Sequence, residues 1–227
     1  MSQIYQYGNS IKHNKRKLMK LDTLRIFATP LMTFELGRDF TKEELDCVNS
    51  QELGFSVGNE GSYNHRVLED PAMKDLKKFA QNALDQYFME IYSPARPNEI
   101  RLKLTQSWTN VTEPGENHHQ HYHPNSIISG VIYINADKDC DNISFTNTKE
   151  VRPWQFDVKD TNGYNSHLFN LQVGTGFMVL FPSNMFHGVP ETKSKTARIS
   201  LAFNSFFEGK FGIQNDGVNY LEINNIF

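Results

Sequence analysis

The chain of 227 residues is long enough for one domain with a substantial hydrophobic core, or for one domain with a small appendage. Apolar residues make up 38% of the sequence and aromatic residues 12%, a composition typical of folded globular proteins and not of disordered ones. The formal net charge of -3 gives no broad attraction to nucleic acid or to an anionic membrane.

Two cysteines and the lack of long apolar runs set expectations for the compartment. Cys47 and Cys140 form neither a CxxC motif nor a zinc-ribbon spacing, so we expect reduced thiols. No apolar run reaches the ~20 residues that cross a bilayer, and residues 1–20 lack the apolar core of a secretory signal. We therefore expect a cytoplasmic protein.

Residues 1–20 are polar and locally basic. Such a run is typical of a solvated arm, and contact with nucleic acid is the alternative. No repeat or low-complexity linker divides the remainder, so residues 21–227 are predicted to form a single domain.

The first predicted elements are a strand and two helices. The strand lies at Leu24–Leu36 and is interrupted by Pro30. Thr41 and Glu44 have the spacing of a capping box, which begins a helix. The second helix runs over Pro71–Tyr92, where apolar residues recur every three or four positions along one face that must be covered.

From residue 99 the pattern changes to short strands separated by turn-rich segments. The predicted strands are Glu99–Trp108, Ile127–Asn135, Asn142–Thr146, Leu168–Val173, Phe177–Phe181 and Ala197–Phe206. Helices gathered before many strands indicate an α+β, mainly β fold. The closed form expected for such strands is a double-sheet jelly roll, with the second helix packed on one sheet.

Histidines carry the strongest chemical signal. His121 and His123 lie two residues apart, so in an extended chain both imidazoles point to the same face. Neutral imidazole is a good ligand for iron, zinc and copper. His187 is the candidate third ligand, carried by the loop that follows the Phe177–Phe181 strand. His119 with His121 has the same spacing and is the second possible register.

The other signals are an arginine and a serine in the last predicted strand. Arg198 and Ser200 lie two apart and share one strand face. A guanidinium binds a carboxylate through two parallel hydrogen bonds, and the serine adds another donor. The alternative is an arginine at a sheet edge, paired with a surface acid such as Glu191. His118 adjoins the HxH pair and is given no separate role, and His13, His65 and His167 are expected at the surface.

The order HxH, a distant His, then RxS resembles the 2-oxoglutarate/iron(II) oxygenases, and one branch of that superfamily in particular. The resemblance covers most of residues 24–206 and rests on Phe27–Pro30, Leu104–Asn110, His121–Ser126, Ser129–Tyr133, Gly176–Pro182, His187 and Arg198–Ser200. It implies a double-stranded β-helix, a jelly-roll variant related to cupins.

The resemblance also implies the site. His121, His123 and His187 bind iron(II), while Arg198 and Ser200 hold the far carboxylate of 2-oxoglutarate. Tyr133 is expected to hydrogen-bond the same co-substrate. Molecular oxygen is the oxidant; 2-oxoglutarate is decarboxylated to succinate, and a C–H bond of an unassigned substrate is attacked. A peptide, a nucleobase and a small molecule all remain open as substrates, as does the oligomeric state.

One position departs from the superfamily. Its HxD or HxE carboxylate is replaced by His123, which makes the site more positive and makes zinc a credible occupant. A nearby acid, Glu116 or Asp137, is an alternative source of the missing charge. The departure leaves two other functions open: a three-histidine cupin-type dioxygenase that does not use 2-oxoglutarate, and a non-enzymatic jelly-roll binding module. The segment Asn147–Asn165 is predicted to be a lid over the site.

Overall fold

The computed structural model describes residues 27–148, 157–212 and 220–224. Within these residues the helices precede most of the strands, as predicted. The helices are α1 (Lys42–Asn49) and α2 (Lys74–Tyr87). The strands are β1 (Met32–Glu35), β2 (Leu53–Ser56), β3 (Asn59–Ser62), β4 (Ile100–Thr112), β5 (His118–His121), β6 (Ile128–Asn135), β7 (Asn142–Thr146), β8 (Leu168–Gln172), β9 (Phe177–Pro182), β10 (Phe186–Val189), β11 (Arg198–Phe211) and β12 (Leu221–Ile223).

The described strands form two antiparallel sheets. The major sheet has the order β1-β9-β6-β11-β4-β3-β2, with β12 also paired to β11. The minor sheet has the order β5-β10-β7-β8. The sheets face each other across an apolar layer that includes Tyr133, Phe145 and Phe181. This is the double-sheet jelly roll that the sequence predicted.

Both predicted helices are present, and their ends follow from local chemistry. Thr41 caps α1, with its hydroxyl accepting from the Glu44 amide at 3.2 Å while the Glu44 carboxylate accepts from the Thr41 amide at 2.9 Å. Helix α2 is preceded by a 3₁₀ turn at Pro71–Met73 that Asp70 caps, and it continues into a π-helical turn at Phe88–Tyr92.

Helix α2 covers the outer face of the major sheet. Its apolar face, which includes Leu76, Ala80 and Leu84, is fully or almost fully buried against that sheet. Strand β6 is therefore covered by the helix layer on one side and by the minor sheet on the other, which explains why Ile128–Ile134 are all buried.

The structure corrects the local assignment of His187. The sequence placed it in a loop after β9, but it lies in β10, which pairs with β5 on one side and with β7 on the other. Three further elements were not predicted: the β2–β3 hairpin, strand β5 and the short strand β12. Strand β11 extends to Phe211, five residues beyond the predicted end.

Some expectations fall outside the described residues. They are the basic arm at 1–20, the first three residues of the strand predicted at Leu24–Leu36, and the part of the predicted lid that carries Trp154 and Phe156. Both cysteines are free thiols. Within the parts of the chain that are described, none of the helices has the length and apolar character needed to cross a bilayer.

Candidate metal centre and its arginine

Three histidines predicted from sequence come together between the two sheets. His187 of β10 pairs directly with His121 of β5 in the minor sheet. His123 lies on the turn between β5 and β6, and its ring centroid is 5.1 Å from that of His121 and 4.9 Å from that of His187. One ring nitrogen from each of the three lies within 4.8 Å of the others. The predicted triad is thus a spatial cluster.

The outward nitrogen of each imidazole is held by an oxygen acceptor. His121 Nδ1 donates to the His119 carbonyl at 2.8 Å, and His187 Nδ1 donates to the Met185 carbonyl at 2.9 Å. His123 Nδ1 lies 2.8 Å from Asn204 Oδ1. A carbonyl oxygen only accepts, so these bonds place the proton on Nδ1 and leave Nε2 with a free lone pair. This tautomer is the one that a metal requires when Nε2 is the ligand atom.

The lone pairs of two of these rings converge. His121 Nε2 lies 3.2 Å from His123 Nε2, although both Nδ1 atoms already carry the ring protons. Two facing lone pairs repel unless a cation lies between them. Metal–nitrogen bonds of about 2.1 Å place neighbouring ligand nitrogens about 3.0–3.4 Å apart, depending on the coordination geometry. The donor set therefore fits a divalent transition metal.

Burial keeps the histidines neutral. It lowers the pKa of His123 to about 4, with the neighbouring His121 acting in the same direction. Burial also lowers the pKa of His121, and it lowers that of the almost fully buried His187 well below the usual value. At neutral pH these rings are therefore neutral, and a proton shared between His121 Nε2 and His123 Nε2 is disfavoured. Neutral imidazoles are good metal ligands.

A fourth histidine enters the site through a β-bulge. Between β5 and β10, His187 pairs with His121 but Val189 pairs with His118, so one extra residue of β5 is accommodated. His118 therefore faces the same side as His121, with the two ring centroids 4.5 Å apart. Burial lowers the pKa of His118 to about 3. Regular alternation along the strand predicts that His118 points away from His121, so no role in the site was predicted for His118.

The second histidine register occupies the rim. His119 is exposed, and its Nδ1 donates to the Val57 carbonyl at 3.2 Å. Together with His118 and His121 it forms a second group whose ring nitrogens lie within 4.8 Å of one another. Among the described residues, neither Glu116 nor Asp137 belongs to either group.

The predicted arginine and its companions form a second cluster on the inner face of the major sheet. Arg198 and Ser200 are each 4% exposed, and Tyr133 is fully buried. Ser200 pairs with Tyr133 across β11 and β6, while the Arg198 guanidinium carbon lies 5.1 Å from the centre of the Tyr133 ring. The three side chains predicted to hold a co-substrate therefore share one location.

This cluster contains polar atoms without partners. In the described part of the chain, neither Arg198 Nε nor the Tyr133 hydroxyl makes a hydrogen bond. Burial raises the pKa of Tyr133 against the opposing effect of the Arg198 charge. A surface ion pair with the exposed Glu191 is not formed by Arg198 within the described residues. A buried guanidinium with an unpaired Nε donor fits an anionic ligand.

Aromatic side chains surround the histidines. The Phe181 ring centroid lies 4.5 Å from that of His187, and the Trp108 centroid lies 5.5 Å from that of His123. His65 and His167, which were predicted to be surface residues, are exposed. The site thus combines neutral nitrogen ligands with an apolar surround, a combination suited to transition-metal chemistry away from bulk water.

Comparison with known proteins agrees with this geometry. Residues 106–204 match the family model described as "Putative 2OG-Fe(II) oxygenase", a segment that contains every residue of both clusters. No curated protein sequence shows significant similarity to the chain.

Solved structures share the fold at low sequence identity. The epimerase SnoN from nogalamycin biosynthesis, described as non-heme and alpha-ketoglutarate dependent, aligns with a TM-score of 0.54 and 9% identity over 83% of this chain and 81% of its own. The carbocyclase SnoK from the same biosynthesis gives 0.53 and 11% over 83% and 85%. A prolyl hydroxylase from Trichoplax adhaerens gives 0.51 and 13% over 78% and 83%. At this identity the likenesses show the fold alone.

Proposed function

We propose that this chain is a 2-oxoglutarate/iron(II) oxygenase that hydroxylates a C–H bond of its substrate and couples that step to decarboxylation of 2-oxoglutarate to succinate. In this proposal His121, His123 and His187 hold iron(II). Arg198 and Ser200, helped by Tyr133, hold the far carboxylate of 2-oxoglutarate. The iron, with 2-oxoglutarate and O2 bound, supplies the oxidising chemistry.

The observation that carries the proposal is the pair of facing ring nitrogens 3.2 Å apart. Each of the three imidazoles in the cluster is held through Nδ1 by an oxygen, so the cluster is arranged around a cation before any cation binds. The unpaired Nε of Arg198 lies on the same inner face of the sheet and provides the anion site that a dicarboxylate needs.

The chain's own residues perform binding, orientation and exclusion of water. Three neutral ligands leave the full positive charge of the metal in the site, and the buried guanidinium adds another. A dianionic co-substrate that spans both groups neutralises these charges, which favours its binding in a site of low polarity. Phe181 and Trp108 pack against the ligand rings and restrict water around them.

Anaerobic reconstitution with iron(II), followed by 2-oxoglutarate and O2, tests the proposal. We expect succinate to form with wild-type protein, faster when the substrate is present. His187→Ala should lose stoichiometric metal, because it removes one of three ligands. Arg198→Ala should retain the metal but bind 2-oxoglutarate weakly, since a charged hydrogen-bonding group worth about 1.5–3 kcal/mol is gone.

Arg101→Ala is the matched control, because Arg101 is exposed and pairs with Glu208 on the surface. It should leave metal content and 2-oxoglutarate affinity unchanged. Calorimetry that finds the same 2-oxoglutarate affinity in wild type and Arg198→Ala would exclude Arg198 from the co-substrate site. Full iron stoichiometry in His187→Ala would exclude His187 as a ligand.

A second function is favoured by one observation, the all-histidine ligand set. Cupin-type dioxygenases with three histidines do not use 2-oxoglutarate, and His123 gives this site the same kind of ligands. Oxygen uptake that requires iron(II) but does not depend on 2-oxoglutarate would favour this alternative. Succinate formed in step with oxygen consumption would favour the main proposal.

The substrate class belongs to the proposal as well. The solved neighbours include a hydroxylase and an epimerase by their descriptions, so their shared fold does not select among peptide, nucleobase and small-molecule substrates. Succinate release measured against a panel from these three classes is the experiment that would assign it.

A further inference from the structure

A chain of buried hydroxyl groups leads away from His123 into the protein. Ser129 on β6 and Ser183 at the end of β9 are at most 1% exposed, and Asn204 on β11 is 7% exposed. They meet behind the His123 ring, on the side opposite the converging nitrogens. Side chains from β6, from β11 and from the turn that follows β9 thus contribute to one polar network.

The distances in this network are those of good hydrogen bonds. His123 Nδ1 lies 2.7 Å from Ser129 Oγ and 2.8 Å from Asn204 Oδ1. Ser129 Oγ lies 2.8 Å from Ser183 Oγ, which lies 2.8 Å from Ser126 Oγ. Ser126 Oγ in turn lies 3.1 Å from the Ser205 carbonyl. Four consecutive contacts therefore connect a proposed metal ligand with the backbone of β11.

Each hydroxyl has one proton, which gives the chain a direction. The Ser205 carbonyl can only accept, so the Ser126 proton points to it, and Ser126 Oγ accepts from Ser183. Because Ser183 donates its proton to Ser126, it can only accept from Ser129. Ser129 therefore shares its own proton between two acceptors, Ser183 Oγ and Asn204 Oδ1. His123 is left as the donor at the start of the chain.

Hydrogen bonds in such a chain polarise one another, and each onward donation makes a hydroxyl oxygen a better acceptor. A stronger acceptor for the His123 Nδ1 proton increases electron density at Nε2, the proposed ligand atom. His121 and His187 have single backbone carbonyls at the same position. His123 alone of the three is supported by an amide oxygen and a hydroxyl chain.

We propose that Asn204 and the Ser129–Ser183–Ser126 chain are positioning residues of the metal centre, which fix the tautomer and orientation of His123 and strengthen it as a ligand. The inference rests on the proposed function, because it requires His123 to bind metal. All three ligands are neutral imidazoles, and none donates electron density to the metal as strongly as a carboxylate does. The network increases the donation from one of them, His123.

Cobalt(II) titration of the metal-free protein tests this, read by the visible spectrum of the bound ion and needing no turnover. Loss of a group that supports a ligand typically costs 10–100-fold in metal affinity. We expect about that loss in Asn204→Leu, with an altered cobalt spectrum. Ser183→Ala should weaken binding in the same direction, although Ser183 touches none of the three ligands. Asn204→Asp, which keeps the acceptor and adds negative charge, should bind cobalt at least as tightly as wild type.

Ser107→Ala is the matched control, since Ser107 is also a buried hydroxyl but accepts from the Leu68 amide on the helix-covered side. It should bind cobalt as wild type does, and thermal unfolding of each variant confirms the fold. If Asn204→Leu and Ser183→Ala both keep wild-type affinity and spectrum while His123→Ala binds weakly, this inference is wrong and the proposed metal centre stands. Unchanged binding in His123→Ala would instead overturn the proposed metal centre.

Discussion

Removing the hydroxyl of Tyr133 should make the protein more stable and its co-substrate binding weaker. Tyr133 is fully buried, and its hydroxyl lacks a hydrogen-bond partner in the described part of the chain. The Arg198 guanidinium lies over the ring, 5.1 Å from its centre, so Tyr133→Phe retains that cation–π contact and changes the hydroxyl alone.

The two effects have different sizes. A buried polar group without a partner costs about 1–3 kcal/mol, so its removal should raise the free energy of unfolding by about 1 kcal/mol after allowance for the small void. For a chain of this length, that corresponds to a rise of about 2–4 °C in melting temperature. A hydrogen bond to a carboxylate is worth about 1.5–3 kcal/mol, which predicts about 10- to 150-fold weaker 2-oxoglutarate binding.

Urea unfolding of the metal-free protein and anaerobic calorimetry with 2-oxoglutarate measure the two quantities. Tyr87→Phe is the control, because Tyr87 is equally buried but its hydroxyl donates to the Pro30 carbonyl at 3.3 Å. That variant should lose a little stability and keep its 2-oxoglutarate affinity. An unchanged affinity in Tyr133→Phe would refute a role for the hydroxyl in co-substrate binding, and a clear loss of stability would refute the claim that it is unpaired.

Other perturbations give further expectations. At Gly188 an added Cβ would lie 2.8 Å from the His118 carbonyl, so Gly188→Ala should displace β5 and weaken cobalt binding about tenfold, whereas Gly163→Ala, which meets nothing within 4 Å, should not. The folded-state pKa of His123, about 4, is below the unfolded value, so the unfolded state binds more protons as pH falls. Metal-free protein should therefore unfold more easily at pH 5 than at pH 7, and His123 should contribute about 2 kcal/mol of that change, which His123→Gln should lose. Thr41→Ala should cost about 1 kcal/mol in urea titrations without affecting metal binding.

The elements that the sequence predicted are those with a strong local pattern. Helix α2 has a continuous apolar face, and β6 and β9 are apolar runs bounded by turns. Strand β10 has only four residues, so its extended form comes from pairing with neighbours that are distant along the chain. The β2–β3 hairpin is mostly polar and rich in glycine, so it shows no alternation.

The residues of the candidate site also fall into those that a local sequence pattern predicts and those that only the folded chain reveals. The His121 and His123 pair and the Arg198 and Ser200 pair were predictable, because residues two apart on a strand share a face. His118 was not, since a β-bulge brings it to the inner side and a bulge depends on the partner strand. The support of His123 by Asn204 was equally hidden, because the two residues are 81 positions apart and only the assembled sheet brings them together.

Strand β11 sets the spacing of the whole site. Arg198, Ser200 and Asn204 project from the same side of this strand, with Leu201 and Phe203 buried beneath the helices on the other. At about 3.4 Å per residue, about 20 Å of β11 backbone lies between Arg198 and Asn204. Insertion or deletion of a single residue between positions 200 and 204 would turn one end of the site into the helix layer. Natural or designed relatives of this chain should therefore tolerate changes in the length of surface loops but keep residues 200–204 free of insertions and deletions.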